Sequence, residues 1–270
     1  MTLLELSHVS QAFFTDRKRT RAMVALHDVS LSIEEGEFVS LLGPSGCGKT
    51  VTLSLMAGFL QPTEGQVTFK GHPIAKPDPH RGVVFQEYSL MPWLTVRQNL
   101  LFALRSSAKA LGHPFEKTSA IRRADEALAQ VGLAHAADRR PNTLSGGMRQ
   151  RVAIARLLAM DSDVFLMDEP FSALDEQTRS ELDRSLFELW RRDRKTIVFV
   201  THNISEAVAM SSRIVLFSSS PGRIIDQWRL DEDFDRTPGS PAARALADQI
   251  RALLPSTFDS NDELEGATIT

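Results

Sequence analysis

Short, almost purely apolar runs alternate with longer stretches of helical period along most of this chain. Phe38-Val39-Ser40-Leu41-Leu42, Gly82-Val83-Val84-Phe85, Val164-Phe165-Leu166-Met167 and Thr196 to Val200 carry almost no polar side chains. Continuous apolar runs of this length predict strands buried on both faces, as in a parallel sheet covered by helices. Val51 to Gly58 predicts a helix directly after the first of them. Met148 to Met160, with Val152, Ile154, Ala155, Leu158 and Ala159, predicts a helix packed on one face. Val96 to Leu104 and Ala120 to Val131 predict two more, separated by the breaker Gly112-His113-Pro114, and Ala242 to Leu254 predicts a short amphipathic helix.

Composition narrows the picture. A chain of 270 residues that is 42% hydrophobic can bury one sizeable core and a small subdomain. The net charge of −3 argues against broad nucleic-acid binding. Arg17-Lys18-Arg19 with Arg21 forms one basic cluster, read as a solvated hairpin tip between the first two strand candidates. No apolar run approaches the roughly 18 residues that signal a membrane span, and Met1 to Leu6 carries Glu5 instead of a basic-then-apolar leader. The expectation is a chain neither spanning nor secreted, whose membrane contact comes through a partner.

Candidate chemistry sits where the apolar runs end. Gly43-Pro44-Ser45-Gly46-Cys47-Gly48-Lys49-Thr50 lies between a strand and a helix, the context a phosphate-binding loop requires. Glycines let the backbone approach the phosphates, and N–H groups and the helix N-terminus face the negative charge. Lys49 reaches the β and γ oxygens, and Thr50 offers a hydroxyl to Mg²⁺. Asp168-Glu169-Pro170 ends a second strand; Asp168 is expected to hold Mg²⁺ and Glu169 to act as general base on the attacking water. Pro170 is expected to keep Glu169 out of the helical region. Cys47, the single cysteine, excludes an intrachain disulfide, and its neighbour Lys49 and the helix N-terminus predict a lowered thiol pKa and ATP-protected alkylation.

Leu144-Ser145-Gly146-Gly147-Met148-Arg149-Gln150 completes the set, with Ser145 as a natural helix N-cap and Gly146-Gly147 allowing close backbone approach. In this order the three motifs resemble an ABC-type ATPase subunit, from roughly Leu3 to Arg229. The resemblance implies that Ser145, Gly146 and Gly147 contact the γ-phosphate held by a second copy of the chain. It implies that His202, after the strand ending at Val200, also reaches the γ-phosphate. Gln86 would be the Q-loop ligand for Mg²⁺ and water, and Phe13 would stack on adenine, with Phe14 as the alternative and a core role open for either. Ser172-Ala173-Leu174-Asp175 would be the D-loop joining the two sites, with a helix cap by Ser172 as the alternative. Met148 stands where many members carry Gln and removes no contact of Ser145 or Gly147.

The implied fold class is α/β, a P-loop NTPase (RecA-like) core with an antiparallel β subdomain and an inserted α-helical subdomain at about 87–158. Residues 1–230 would form the nucleotide-binding domain and 231–270 a partly helical extension, its end expected to be mobile. Tyr88 to Val96, apolar and containing Trp93, would dock a membrane permease, with a small local core as the rival reading. The Gln86 strand, the Leu90-Met91-Pro92-Trp93 loop, Asp168 to Asp175 and Ser218-Ser219-Ser220-Pro221-Gly222-Arg223 look like the bacterial nitrate, sulfonate and taurine importers' ATPase. The function implied is an ATP hydrolase using ATP and Mg²⁺ at the cytoplasmic face of the inner membrane. It would work as a homodimer on an integral membrane permease, served indirectly by a periplasmic or lipoprotein solute-binding protein, with no nucleic acid as partner. An exporter ATPase and a soluble non-transport ABC ATPase are the alternatives; a simple P-loop kinase is excluded by the Ser-Gly-Gly element.

Overall fold

The computed structural model describes residues 1–14, 22–85, 89–172, 174 and 176–254, without the side chains of residues 177 and 178. The basic cluster at Arg17 to Arg21, together with Gln86, Tyr88, Ala173, Asp175 and the tail from 255 onward, lies outside them. The chain begins with β1 (Thr2–Phe14), β2 (Ala22–Glu34), β3 (Phe38–Leu42), α1 (Lys49–Ala57), β4 (Glu64–Phe69), β5 (His72–Pro73) and β6 (Arg81–Val84). It continues through α2 (Val96–Ala110), α3 (Lys117–Gln130), α4 (Gly146–Met160), β7 (Val164–Asp168) and α5 (Glu176–Asp193). The last elements are β8 (Thr196–Thr201), α6 (Ile204–Met210), β9 (Arg213–Phe217), β10 (Ile224–Arg229) and α7 (Pro241–Leu253).

The described strands form two sheets. An antiparallel one runs β2-β1-β4-β5, and a second runs β10-β9-β3-β8-β7-β6, parallel except for β10. Every residue of β3, β7, β8 and β9 is buried, which is why their sequences do not alternate. Alternate side chains serve opposite cores. Val39, Leu41, Val164, Leu166, Val198 and Val200 pack with Leu53 and Met56 of α1 and with the antiparallel sheet. Phe38, Phe165, Met167 and Phe199 face Leu157 of α4 and Leu186 and Trp190 of α5. Truncating one of these phenylalanines to Ala would cost about 3–5 kcal/mol.

α4 departs from the one-sided helix its sequence predicts. Ala153, Ile154 and Leu157 pack on the sheet, while Val152, Ala155 and Ala159 pack against Leu100 of α2 and Ala124 and Leu128 of α3. A helix wedged between two cores needs two apolar faces, and its small residues allow both to close. α7 docks Ala243, Leu246, Ala247 and Ile250 against α6 and the sheet, N-capped by Ser240.

Candidate functional site

Parallel pairing brings the chemistry to one sheet edge. Leu42 lies opposite Thr201, and Asp168 opposite Val200. The chain segments leaving β3, β7 and β8 therefore emerge side by side at the carboxyl ends of their strands, where α/β sheets bind ligands. These segments hold Gly43 to Thr50, Asp168-Glu169 and His202.

Within the phosphate-loop segment Ser45 and Gly46 are exposed at the tip, while Cys47, Gly48 and Lys49 are buried. Gly48 takes φ +93 at the start of α1, and a Cβ there would lie 2.5 Å from Leu26 Cδ2, so glycine is required both for conformation and for space. Lys49 donates through Nζ to the carbonyl oxygens of Gly43 at 2.5 Å and Pro44 at 2.9 Å, which holds the ammonium over the loop. Thr50 Oγ1 donates to Asp168 Oδ1 at 3.1 Å. Burial pushes the Asp168 carboxyl above its ordinary range. This pair of hard oxygen donors, one a buried carboxylate whose charge a divalent ion would stabilise, fits Mg²⁺.

Glu169 is held in an unusual way. Its φ is +42, whereas the residue before a proline is expected in extended backbone. Three bonds outweigh a strain of about 1–3 kcal/mol. Its N–H donates to Val200 O at 3.0 Å, and its carbonyl accepts from the Ser172 N–H at 3.3 Å and from Ser172 Oγ at 3.1 Å. The Ser172 hydroxyl thus braces Glu169, four residues before the start of α5. His202 Nδ1 stands 3.3 Å from Glu169 Oε1, and this contact, ahead of burial, holds the Glu169 carboxyl below its usual range. The two neighbouring carboxyls are pushed in opposite directions, Asp168 up and Glu169 down.

Cys47 corrects its sequence expectation. Lys49 Nζ does approach Sγ, at 3.7 Å, but burial dominates and pushes the thiol pKa up. Ser145 caps α4 as expected, accepting from Met148 N–H at 3.3 Å, and its side chain is exposed. Phe13 is half-buried and pairs with Met23, while Phe14, on the opposite face, is 51% exposed. Gln86 and Asp175 lie outside the described residues.

Several supporting residues escaped the sequence reading. Glu206 accepts from Thr201 Oγ1 at 2.6 Å and faces Arg179 Nε at 3.7 Å, and Arg179 also donates to Leu174 O at 3.2 Å. This chain of contacts ties the segment after β7 to the one after β8. The signal for it was Asn203-x-x-Glu206, a helix-start pattern. Asn99, buried in α2, accepts from Met91 N–H and donates to the carbonyls of Met91, Leu94 and Thr95. It fixes the loop that leaves Trp93 68% exposed, which disfavours the local-core reading of that residue.

The family model described as "ABC transporter" matches residues 26–172. A taurine import ATP-binding protein from Jannaschia sp. is 38% identical over 275 residues, covering 99% of this chain and 98% of that protein. The nitrate import ATP-binding protein of Synechococcus elongatus is 44% identical over 214 residues, covering 79% of this chain and 76% of that protein. Among solved structures, the dimeric post-hydrolysis state of the ATP-binding cassette MJ0796, bound to ADP and Pi, superposes with a TM-score of 0.73. It is 32% identical and covers 85% of this chain and 99% of that one.

Proposed function

The chain belongs to the ABC transporter ATPase family, an ATP hydrolase using ATP and Mg²⁺, and we propose that it energises an importer for a small anionic solute of the nitrate, sulfonate or taurine type. The observation that carries this reading is the end-to-end similarity to the taurine import protein, which extends past the cassette into the region of α7. Among the described residues no helix is long and apolar enough to cross a membrane. A separate permease is therefore the proposed partner, with the Trp93 loop as its docking point and the cytoplasmic face of the inner membrane as the place of work. A solute-binding protein would act on the permease and not on this chain.

In the proposed mechanism Lys49 turns from the Gly43 and Pro44 carbonyls toward the β and γ phosphates, and Thr50 and Asp168 would hold Mg²⁺, which when bound would neutralise phosphate charge. Gln86 would join them. Glu169, ionised and braced by Val200 and Ser172, accepts a hydrogen bond from the attacking water, and His202 steadies the far side of the γ-phosphate. Ser145, Gly146 and Gly147 of a second copy complete the site, with Asp175 at the crossing between sites. Closing such a dimer from 1:99 to 99:1 takes about 5.5 kcal/mol, within reach of several charge-assisted bonds at about 1.5–3 kcal/mol each. The test is size-exclusion of Glu169→Gln with and without ATP. An ATP-dependent dimer supports the shared site; a monomer at saturating ATP contradicts it.

A further inference from the structure

The turn Ser218-Ser219-Ser220-Pro221-Gly222-Arg223 between β9 and β10 has no part in the chemistry above, yet it is highly ordered by its own bonds. The Ser218 N–H donates to Arg223 O at 2.8 Å. The Ser218 hydroxyl is shared between the carbonyls of Ser219 at 3.0 Å and Pro221 at 3.1 Å, and accepts from the Arg223 N–H at 3.0 Å. Gly222 then leaves the hairpin and pairs with β2. Its N–H donates to Ala25 O at 2.9 Å, and its carbonyl accepts from the His27 N–H at 3.0 Å.

This pairing presses Gly222 onto the phosphate loop. A Cβ on Gly222 would lie 2.0 Å from the Cys47 carbonyl oxygen and 3.1 Å from Leu26 Cδ2. Gly222 has no positive φ, so its missing side chain serves space and not backbone freedom. From the neighbouring side β2 closes on Gly48 through Leu26 and Ala25. Two residues further back, Val24 and Met23 pair with Ala12 and Phe13 of β1. The turn, β2 and the loop therefore form one clamp, continuous with the strand that carries the proposed base-stacking aromatic.

We infer that Gly222 is a positioning residue for nucleotide binding: the 218–223 turn, paired to β2, holds the Cys47–Gly48 backbone in its phosphate-accepting arrangement. The inference rests on the nucleotide site proposed above. A loop not held this way is competent only part of the time, and apparent affinity falls by that fraction while saturated turnover is kept. A loop competent about a tenth to a hundredth of the time lowers apparent affinity about 10- to 100-fold.

The experiment uses the full chain with Gly222→Ala, Gly222→Val, Ser218→Ala, the exposed β10 control Gln227→Ala, and Lys49→Ala as the reference for the site itself. ATP affinity, KM, kcat and the melting temperature without nucleotide are measured together. Gly222→Ala is expected to raise Kd and KM about 10- to 100-fold, Gly222→Val more, with kcat within about twofold and the nucleotide-free melting temperature lowered but still above the assay temperature. Ser218→Ala, which adds no atoms, is expected to raise Kd several-fold, and Gln227→Ala to leave it unchanged. Should both Gly222 variants fail to fold, Ser218→Ala decides: wild-type affinity with intact folding overturns the inference. Wild-type Kd in a folded Gly222→Ala also overturns it, as does a fall in kcat at unchanged KM. If Lys49→Ala binds ATP normally, the nucleotide site itself has been misplaced; if only Lys49→Ala loses binding, the clamp alone is wrong.

Discussion

Replacing Glu169 with Gln isolates the proposed general base with little else disturbed. The two side chains match in shape, and both bear the same cost at φ +42. The bonds to Val200 O and from Ser172 run through the main chain and survive the change. What is lost is one negative charge and its contact with His202 Nδ1 at 3.3 Å. A positioned general base contributes about 10²- to 10⁴-fold in rate, or roughly 2.7–5.5 kcal/mol of barrier at about 1.36 kcal/mol per tenfold. Removing a carboxylate beside the phosphates relieves repulsion, so ATP affinity is expected to stay level or tighten. Phosphate release at saturating ATP and nucleotide titration by fluorescence separate these two quantities. Turnover above about a tenth of wild type, with normal ATP binding, would falsify the assignment of Glu169 as base.

Three further outcomes follow from the same geometry. Asp183 on α5 has a buried Oδ1 with no hydrogen-bond partner, and burial and Glu206 of α6 raise its pKa from 3.8 to about 8, against the opposing pull of Arg179. The folded chain keeps a proton there that the unfolded chain releases. This contribution to stability is full below about pH 4 and is lost as pH rises toward 8, at up to ~1.4 kcal/mol per pH unit. Asp183→Asn should flatten the fall of melting temperature between pH 6 and 8, and an unchanged slope would refute the shift. Of Phe13→Ala and Phe14→Ala, one is expected to weaken ATP binding by about 1–3 kcal/mol and the other to leave it intact; no effect from either rules out a stacking role for both. Cys47, buried with a raised thiol pKa, should label with iodoacetamide more slowly at neutral pH than a free thiol, and faster labelling would contradict its placement.

How far the sequence could be read depended on whether the deciding contact was local. The buried strands were legible because Phe38 to Leu42 and Val164 to Met167 are apolar without alternation, a direct trace of burial on both faces. The Ser145 cap was legible because its partner, the Met148 N–H, lies three residues away. The second apolar face of α4 was not, because Val152 and Ala155 pack against α2 and α3, helices outside the local window in which a helical period is read. Nor was the backbone of Glu169, which depends on Val200 across the sheet. Adjacency to Lys49 was visible for Cys47, but its burial was not, and burial decides its pKa. Gly222 could be seen as a glycine in a turn; that its Cβ would strike the Cys47 carbonyl is a fact of the fold alone.

The central claim is that this ATPase drives a separate permease through the loop bearing Trp93. It is tested most directly by affinity purification of the tagged chain from gently solubilised membranes, beside a Trp93→Glu variant, with mass spectrometry of what is recovered. Trp93 is 68% exposed, so the variant should fold and bind ATP normally. The expected result is a multi-span membrane protein recovered with the wild type and lost with the variant. Ribosomal or DNA-repair proteins in its place, with no integral membrane protein in either sample, would contradict the transport reading.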